Sequence, residues 1–188
     1  MARYQMIVDL DKCIGCDSCT AACMQENGLE PGIFYTKVHF RGAEGTFPAV
    51  EEYYLPMKCQ HCDTPSCVSV CPTAASYKRD DGLVLVDHNK CIGCQYCVMA
   101  CPYGVRTMNE SQKVIEKCTS CAHMVDAGQS PACAQICPAH ARIFGDLDDP
   151  SSEAAVYLAE HASSVHKMPD IGNNPGDIFI LSTAAWKE

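Results

Sequence analysis

KCIGCDSCTAAC occupies residues 12–23, and its opening pentapeptide KCIGC occurs a second time at residues 90–94. An apolar, strand-like segment that contains aspartate precedes each copy, MIVDLD at 6–11 and LVLVDHN at 83–89. The 188-residue chain contains 16 cysteines, and these fall into four groups of four with none left over. This repetition predicts a duplicated unit in which each copy contains two cysteine groups.

Each cysteine group has a defined spacing. The first and third groups read C-x2-C-x2-C-x3-C, which is the pattern of bacterial 4Fe-4S ligands. The second group is C-x2-C-x4-C-x3-C, and the fourth has an eleven-residue insert, Ala122 to Ala132, between its second and third cysteines. In chain order the groups are Cys13, Cys16, Cys19 and Cys23; Cys59, Cys62, Cys67 and Cys71; Cys91, Cys94, Cys97 and Cys101; and Cys118, Cys121, Cys133 and Cys137.

Disulfides, zinc and iron–sulfur clusters are the candidate uses of so many cysteines. The start of the chain has no apolar signal segment and no twin-arginine pair, so we expect synthesis in the reducing cytoplasm, where patterned cysteines bind metal. Zinc sites commonly use two well-separated pairs of ligands, which the fourth group alone would fit. The three compact groups favour 4Fe-4S clusters instead.

Composition and motifs exclude several other functions. A formal net charge of −9 argues against nucleic-acid binding, which needs a basic surface. No apolar run approaches the ~18 residues of a membrane-spanning helix, so we expect no direct membrane span. The sequence contains no nucleophile–base pair, phosphate loop or dinucleotide fingerprint, so we expect a soluble chain without a catalytic site.

A lysine precedes the first cysteine of every group. An oxidised 4Fe-4S core with four thiolates carries roughly two negative charges, which nearby ammonium groups would offset. We therefore predict an electrostatic role for these lysines that raises reduction potentials, with solvated lysines at strand ends as the alternative. The four are Lys12, Lys58, Lys90 and Lys117.

Short strands and helices are expected between and within the cysteine groups. A helix should run from Ser151–Glu153 to about His161, because Pro150 and two aspartates precede it. The cysteine-free residues 26–57 contain several turn signals and predict a surface hairpin or a docking loop. The C-terminal FILSTAAW should pack on the module or on a partner. The predicted strands are Gln5–Asp9, Leu83–Asp87, Gly104–Met108, Arg142–Gly145 and Asp177–Leu181.

Two histidines lie near cysteines, but sixteen cysteines already supply four complete ligand sets. We interpret His61 and His123 as neighbours of the metal sites or surface residues, not as ligands. The insert Ala122–Ala132 of the fourth group is expected to form surface where a partner docks.

Several segments together resemble a known family. They are KCIGCDSCTAAC, KCQHCDTPSCVSVCPTAAS, GLVLVDHNKCIGCQYCVMACPYGVR, KCTSCAHMVDAGQSPACAQICP and RIFGDL. In this order they resemble the four-cluster electron-transfer subunits of the dimethyl sulfoxide reductase family, which are similar to subunits of polysulfide, thiosulfate, tetrathionate and arsenate reductases. The resemblance covers about residues 4–150.

The resemblance implies an α+β fold with two bacterial-ferredoxin-like two-cluster modules in one subunit, with short strands, short helices and long loops. The outer module would comprise residues 1–25 and 110–150, and the inner module residues 58–109. Residues 26–57 would be an insertion, and residues 151–188 a C-terminal helix and tail.

The resemblance also implies four 4Fe-4S clusters and a particular exchange of ligands, although the order of the cysteines alone permits other pairings. Some relatives carry a tryptophan in place of a fourth-group cysteine, but the only tryptophan here is Trp186. The implied ligand sets are Cys13, Cys16, Cys19 and Cys137; Cys118, Cys121, Cys133 and Cys23; Cys59, Cys62, Cys67 and Cys101; and Cys91, Cys94, Cys97 and Cys71.

Partners follow from the same resemblance. It implies a molybdopterin-dependent catalytic subunit and, in many relatives, an integral membrane anchor that handles quinone. The chain would then remain in the cytoplasm or be exported together with its catalytic partner, and would associate with the membrane through a partner. A free-standing soluble polyferredoxin is the alternative.

Overall fold

The computed structural model describes residues 2–186. The predicted outer module begins at Met1 and the predicted tail ends at Lys187 and Glu188, and these three residues lie outside the described part. The strands are β1 (Tyr4–Asp9), β2 (Thr36–Thr46), β3 (Ala49–Lys58), β4 (Ser76–Lys78), β5 (Val84–Val86), β6 (Thr107–Asn109), β7 (Val114–Glu116), β8 (Arg142–Asp146), β9 (Val165–His166) and β10 (Ile178–Ile180). The helices are α1 (Ser18–Glu26), α2 (Ser66–Ser69), α3 (Tyr96–Met99), α4 (Ala122–Asp126), α5 (Ala132–Gln135) and α6 (Glu153–Glu160).

A four-stranded sheet in the order β8-β1-β10-β9 joins the two ends of the chain. Strand β1 pairs antiparallel with β8 and parallel with β10. Successive side chains of a strand point to opposite faces, so Met6 and Val8 enter one core cluster and Ile7 enters another. The prediction that the C-terminal segment packs on the module is therefore confirmed, because β10 pairs with β1.

The hairpin β2–β3 begins at Thr36 and ends at Lys58, one residue beyond the predicted insertion 26–57. Of the two alternatives expected there, the surface hairpin is confirmed, and a docking role stays a prediction. The two strands pair antiparallel from Thr36 opposite Lys58 to Thr46 opposite Ala49. The base of the hairpin is buried, whereas Phe47 at the tip is 89% exposed. The side chains of the hairpin are therefore mostly buried at its base and exposed towards its tip.

Two smaller hairpins, β4–β5 and β6–β7, follow the second and third cysteine groups. The β6–β7 pairing joins residues on either side of the boundary predicted between residues 109 and 110. The predicted strand from Gly104 begins only at Thr107, because Gly104 has a φ of 61° and belongs to the turn after Cys101. Three-residue strands such as β4 and β7 are too short to show an alternating pattern in sequence.

Every helix is short, and the longest, α1, has nine residues. Within residues 2–186, no helix combines the length and the apolar character that a membrane crossing requires. The predicted helix near Ser151 is confirmed as α6, which Ser152 caps by accepting a hydrogen bond from the Ala155 amide at 3.1 Å. The Ser152 cap places the start of α6 at Glu153, within the predicted start Ser151–Glu153.

Replacing Ile7 by alanine should lower the free energy of unfolding by about 2–5 kcal/mol. Ile7 is 0% exposed and packs with Ala154 and Ile178, so the change leaves a cavity between β1 and α6. The urea midpoint of the anaerobically purified holoprotein measures the effect. Val156→Ala on the outer face of α6, where the side chain is 45% exposed, is the control and should change stability by less than about 0.5 kcal/mol. Equal losses in both variants would contradict the expectation.

Candidate metal centres

A residue with a left-handed backbone stands between the first two cysteines of every group. This conformation bends the chain tightly enough for neighbouring thiols to face one cavity, and glycine adopts it most easily. At Gly15 a β-carbon would lie 2.4 Å from the Tyr54 ring, so the first group also needs glycine for space. The four residues and their φ angles are Gly15 (66°), His61 (42°), Gly93 (66°) and Ser120 (52°).

The first and fourth cysteine groups interleave around two cavities. The first cavity, about 360 Å³ with its open mouth included, is lined by Cys13, Cys16, Cys19 and Cys137. The second, about 300 Å³ on the same measure, is lined by Cys23, Cys118, Cys121 and Cys133. The last cysteine of each group therefore lines the cavity of the other group.

The second and third groups exchange cysteines in the same way. A third cavity of about 300 Å³ is lined by Cys71, Cys91, Cys94 and Cys97. Burial, followed by the charges of Cys59, Cys67 and Cys101, raises the pKa of the Cys62 thiol to about 12. The structure thus brings together the four cysteine sets that the resemblance implies; their ligation of iron stays a prediction.

The cavities fit 4Fe-4S clusters in donor chemistry and in hydrogen bonding. Within residues 2–186 no three His, Cys, Asp or Glu side chains are placed to hold a single metal ion. The cysteines stand apart around each cavity, as expected when every thiolate binds a different iron of one cube. Backbone N–H groups that stabilise thiolate charge point at several sulfur atoms. The amides of Ser76, Ile115, Ser120 and Ala141 lie 3.4, 3.4, 3.4 and 3.3 Å from the Sγ atoms of Cys71, Cys91, Cys118 and Cys137.

Two of the four lysines are fully enclosed. Lys58 and Lys117 are only 1% and 2% exposed. The Lys58 ammonium forms an ion pair with Asp177 at 2.7 Å, whereas Lys117 donates to the carbonyl oxygens of Val84 and Cys118. Burial lowers the pKa of Lys117; at Lys58 burial acts the same way, but Asp177 together with the charges of Cys118 and Cys133 raises the pKa above its usual value. The charge of Cys118 in the fourth group acts on both lysines, and that of Cys59 in the second group acts on Lys117.

The other two lysines are at the surface. The side chains of Lys12 and Lys90 are 46% and 62% exposed and stand 3.7 and 3.5 Å from the carboxylates of Asp9 and Asp87. Each aspartate comes from the end of the strand-like segment before its cysteine group. The electrostatic role predicted for all four lysines stays a prediction, and the structure separates the buried pair from the solvated pair.

Two arginines that were not among the predicted site residues point at cysteine sulfur. Arg106 donates to the Cys67 Sγ at 2.8 Å, and Arg142 to the Cys133 Sγ at 3.5 Å. A repeated pattern could have revealed them, because each arginine lies five residues after the last cysteine of its group, as CPYGVR and CPAHAR.

His61 lies between Cys59 and Cys62 and is buried, and both of its ring nitrogens are used in hydrogen bonds. Its Nδ1 accepts from the Val84 amide at 3.0 Å, so its Nε2 carries the proton and donates to the Ser120 hydroxyl at 2.9 Å. Burial and the nearby cations Lys117 and Lys58 hold the pKa of His61 well below its usual range. The imidazole is thus a neutral bridge between two cysteine loops. His123 is exposed and pairs with Glu26.

The insert between Cys121 and Cys133 contains α4 and the first residue of α5. At the end of α4, Asp126 accepts hydrogen bonds from both terminal nitrogens of Arg79, at 3.0 and 2.6 Å. The insert therefore ties the fourth group to the β4–β5 hairpin, while residues 126–130 are exposed. A docking role for that exposed part stays a prediction.

Comparison with known proteins agrees with this geometry. Residues 5–72 and residues 50–147 match two families described as 4Fe-4S dicluster domains. The chain is 43% identical to a tetrathionate reductase subunit of Salmonella typhimurium, over 95% of this chain and 72% of the relative. It is 40% identical to a sulfite dehydrogenase subunit of Allochromatium vinosum, over 96% and 83%. The thiosulfate reductase electron transfer subunit of Salmonella typhi is 45% identical, over 86% and 88%.

The interleaved cysteine groups and the two matched domains define an iron–sulfur protein of the 4Fe-4S dicluster class. The sixteen cysteines fit four 4Fe-4S clusters. On the extent of these similarities, the chain belongs to the iron–sulfur electron-transfer subunits of the dimethyl sulfoxide reductase family.

Substitutions of paired cysteines should alter the same cluster signal. Cys137→Ser and Cys16→Ser should change one signal in the electron paramagnetic resonance spectrum of the reduced protein, because both residues line one cavity. Cys23→Ser and Cys121→Ser should change another. The unaltered protein should contain about sixteen irons. If Cys137→Ser and Cys121→Ser changed the same signal instead, the pairing would be wrong.

Lys117→Gln should lower the potential of a neighbouring cluster by on the order of 50–100 mV, which is the effect of one charge at ~8 Å in an effective dielectric of ~20. Lys90→Gln should lower it by less than about 20 mV, because water screens an exposed ammonium. Potentiometric titration followed by electron paramagnetic resonance measures both. Equal shifts would show that burial of the lysine is irrelevant to its effect.

Proposed function

We propose that this chain conducts electrons through four 4Fe-4S clusters between a molybdopterin-dependent catalytic subunit and a quinone-linked membrane anchor or a soluble donor. A bound 4Fe-4S cluster accepts and releases one electron at a time, and the chain itself breaks no bond. The arrangement of the four cysteine sets as one connected series is the observation that carries this proposal.

The series follows from side chains that neighbouring sets share. Arg142 lines the cavity of Cys13 and also donates to Cys133, which connects the two sets of the outer module. Cys118 and Cys59 pack in one buried cluster, which connects the outer module to the inner one. Arg106 donates to Cys67 and lies close enough to Cys97 for its charge to act there, which connects the last two sets.

The two ends of this series are the sets nearest to solvent. Cys16 in the first set and Cys94 in the last are exposed, whereas Cys118, Cys121 and Cys133 are buried. Exposed isoleucines stand beside both ends, Ile14 at 61% and Ile92 at 65%. Electrons can therefore enter at one end and leave at the other, which is what electron transfer from one partner to another requires.

The hairpin β2–β3 favours a component of a complex over the alternative, a free-standing soluble polyferredoxin. It exposes three large apolar side chains, Phe40 midway along the hairpin and Phe47 and Val50 at its tip, at 53%, 89% and 46%. Exposed apolar patches mark surfaces that bind other proteins, and an electron carrier without a fixed partner has no need of such a hairpin. We place the complex in the cytoplasm or, after export with the catalytic subunit, on the outer face of the membrane.

Purification of the native complex without oxygen should recover a large molybdopterin subunit together with this chain. Removing the apolar tip by Phe47→Ser should weaken the association and leave the iron content near sixteen per chain, because residue 47 lies far along the hairpin from the cysteines. Val156→Ser serves as the control and should leave the association unchanged, because Val156 is an exposed apolar residue on α6 that lies outside the hairpin and the cysteine cavities. Recovery of this chain alone, with full iron content, would favour the polyferredoxin.

A further inference from the structure

Arg106 and Arg142 are buried cations that point at cysteine sulfur. Each residue is only 5% exposed. Among residues 2–186 neither arginine forms an ion pair with aspartate or glutamate. A buried cation without a counter-charge strongly destabilises a fold. The negative charges that act most strongly on each guanidinium are those of the surrounding cysteines, and the charge of Asp177, which is not within ion-pair distance, also acts on Arg142.

The cysteines around each arginine belong to two different sets. Arg142 donates to Cys133 of the second cavity, and it lines the first cavity together with Cys19. These thiolates raise the pKa of Arg142 although burial lowers it. The guanidinium therefore stands between the two cysteine sets of the outer module.

Arg106 holds the corresponding position in the inner module. It donates to Cys67 at 2.8 Å, and the charges of Cys59 and Cys97, which belong to different sets, act on it. The thiolates raise the pKa of Arg106 against the effect of burial. The two modules thus repeat one arrangement, a cation between a pair of clusters.

The support of the two guanidinium groups is also repeated. Arg142 donates from a second nitrogen to the Thr36 hydroxyl at 3.0 Å, and Arg106 donates to the Ser76 hydroxyl at 3.0 Å. A rigid fork that uses one nitrogen for sulfur and another for a fixed hydroxyl has little freedom to move. Lysine, with its single flexible ammonium, cannot make both contacts in this way.

We propose that Arg106 and Arg142 are positioning residues that hold the cluster they hydrogen-bond at a higher reduction potential than it would otherwise have. The proposal rests on the proposed function, since it assumes that the assigned cysteines bind clusters. Reduction adds a negative charge to a cluster, and a fixed cation next to its thiolate stabilises that charge. Arg142 acts on the cluster of Cys133, and Arg106 on the cluster of Cys67.

The reduction potentials of the clusters should therefore differ along the series. Both hydrogen-bonded clusters are the inner members, which join the two modules through Cys118 and Cys59. The buried Lys58 and Lys117 lie at that same junction. The inner clusters therefore receive more positive charge than the two exposed end clusters, so that an electron is retained in the interior of the protein.

Potentials of the anaerobically purified holoprotein test this proposal. Arg142→Gln removes the charge, and Arg142→Lys retains a charge without the double contact; the same pair is made at Arg106. Arg3→Gln is the matched control, because it removes the same charge from a side chain that is 47% exposed and lies outside the cysteine cavities. Serine variants of Cys121 and Cys62 identify the two signals by which the inner clusters are followed.

Arg142→Gln should shift the signal that Cys121→Ser alters to lower potential, and Arg106→Gln the signal that Cys62→Ser alters. Each lysine variant should restore most of the shift, and Arg3→Gln should leave all signals unchanged. Unchanged potentials with every cluster retained would overturn the proposal, as would an equal shift of all signals. Loss of a cluster in both variants of one arginine would show a structural support and would also overturn it.

These measurements need the clusters and not the catalytic partner. Failure to find a molybdopterin subunit would therefore overturn the proposed function and leave this test valid. Unchanged potentials in the glutamine variants would overturn the present proposal and leave the electron-transfer function standing.

Discussion

The convergence of sixteen cysteine side chains on four sites is the constraint that shapes every other part of this structure. Most of the secondary structure around them is too short to be stable alone: α2, α3 and α5 have four residues each, and β4 to β7 have three each. Isolated helices and hairpins of this size are marginal in water. Metal–thiolate bonds supply the cross-links that such elements lack, since metal binding in such sites contributes folding free energy.

Charge is the second constraint, because the clusters add negative charge to a chain whose formal net charge is already −9. The protein places compensating cations in its interior. Lys58, Lys117, Arg106 and Arg142 are all nearly inaccessible to solvent, and only Lys58 has a carboxylate partner among the described residues. In a low-dielectric interior such charges act over longer distances than surface lysines do. The buried cations therefore lie where the negative charge of the clusters is expected.

The parts of the chain without cysteines have a separate role. The strand β10 pairs with β1, and the helix α6 packs on β1 through Ala154 and Ile7. The C-terminal segment therefore stabilises the strand that leads into the first cysteine group. The hairpin β2–β3 packs at its base and projects an apolar tip. The C-terminal segment thus stabilises the fold, and the hairpin β2–β3 exposes apolar surface.

Metal chemistry, duplication, β1 and α6 could be predicted from the amino-acid sequence alone, whereas the bounds of the longest strands, β2 and β3, could not. Thiolate spacing is a local property, so the cysteine groups were recognisable directly; an apolar run indicated β1, and Pro150 with two aspartates indicated the start of α6. The sharing of cavities became visible only in the folded chain, because Cys137 and Cys13 meet across more than a hundred residues. The same holds for the burial of two lysines and for the contacts of Arg106 and Arg142 with sulfur, since burial and contact depend on how separate segments pack and leave little trace in local sequence.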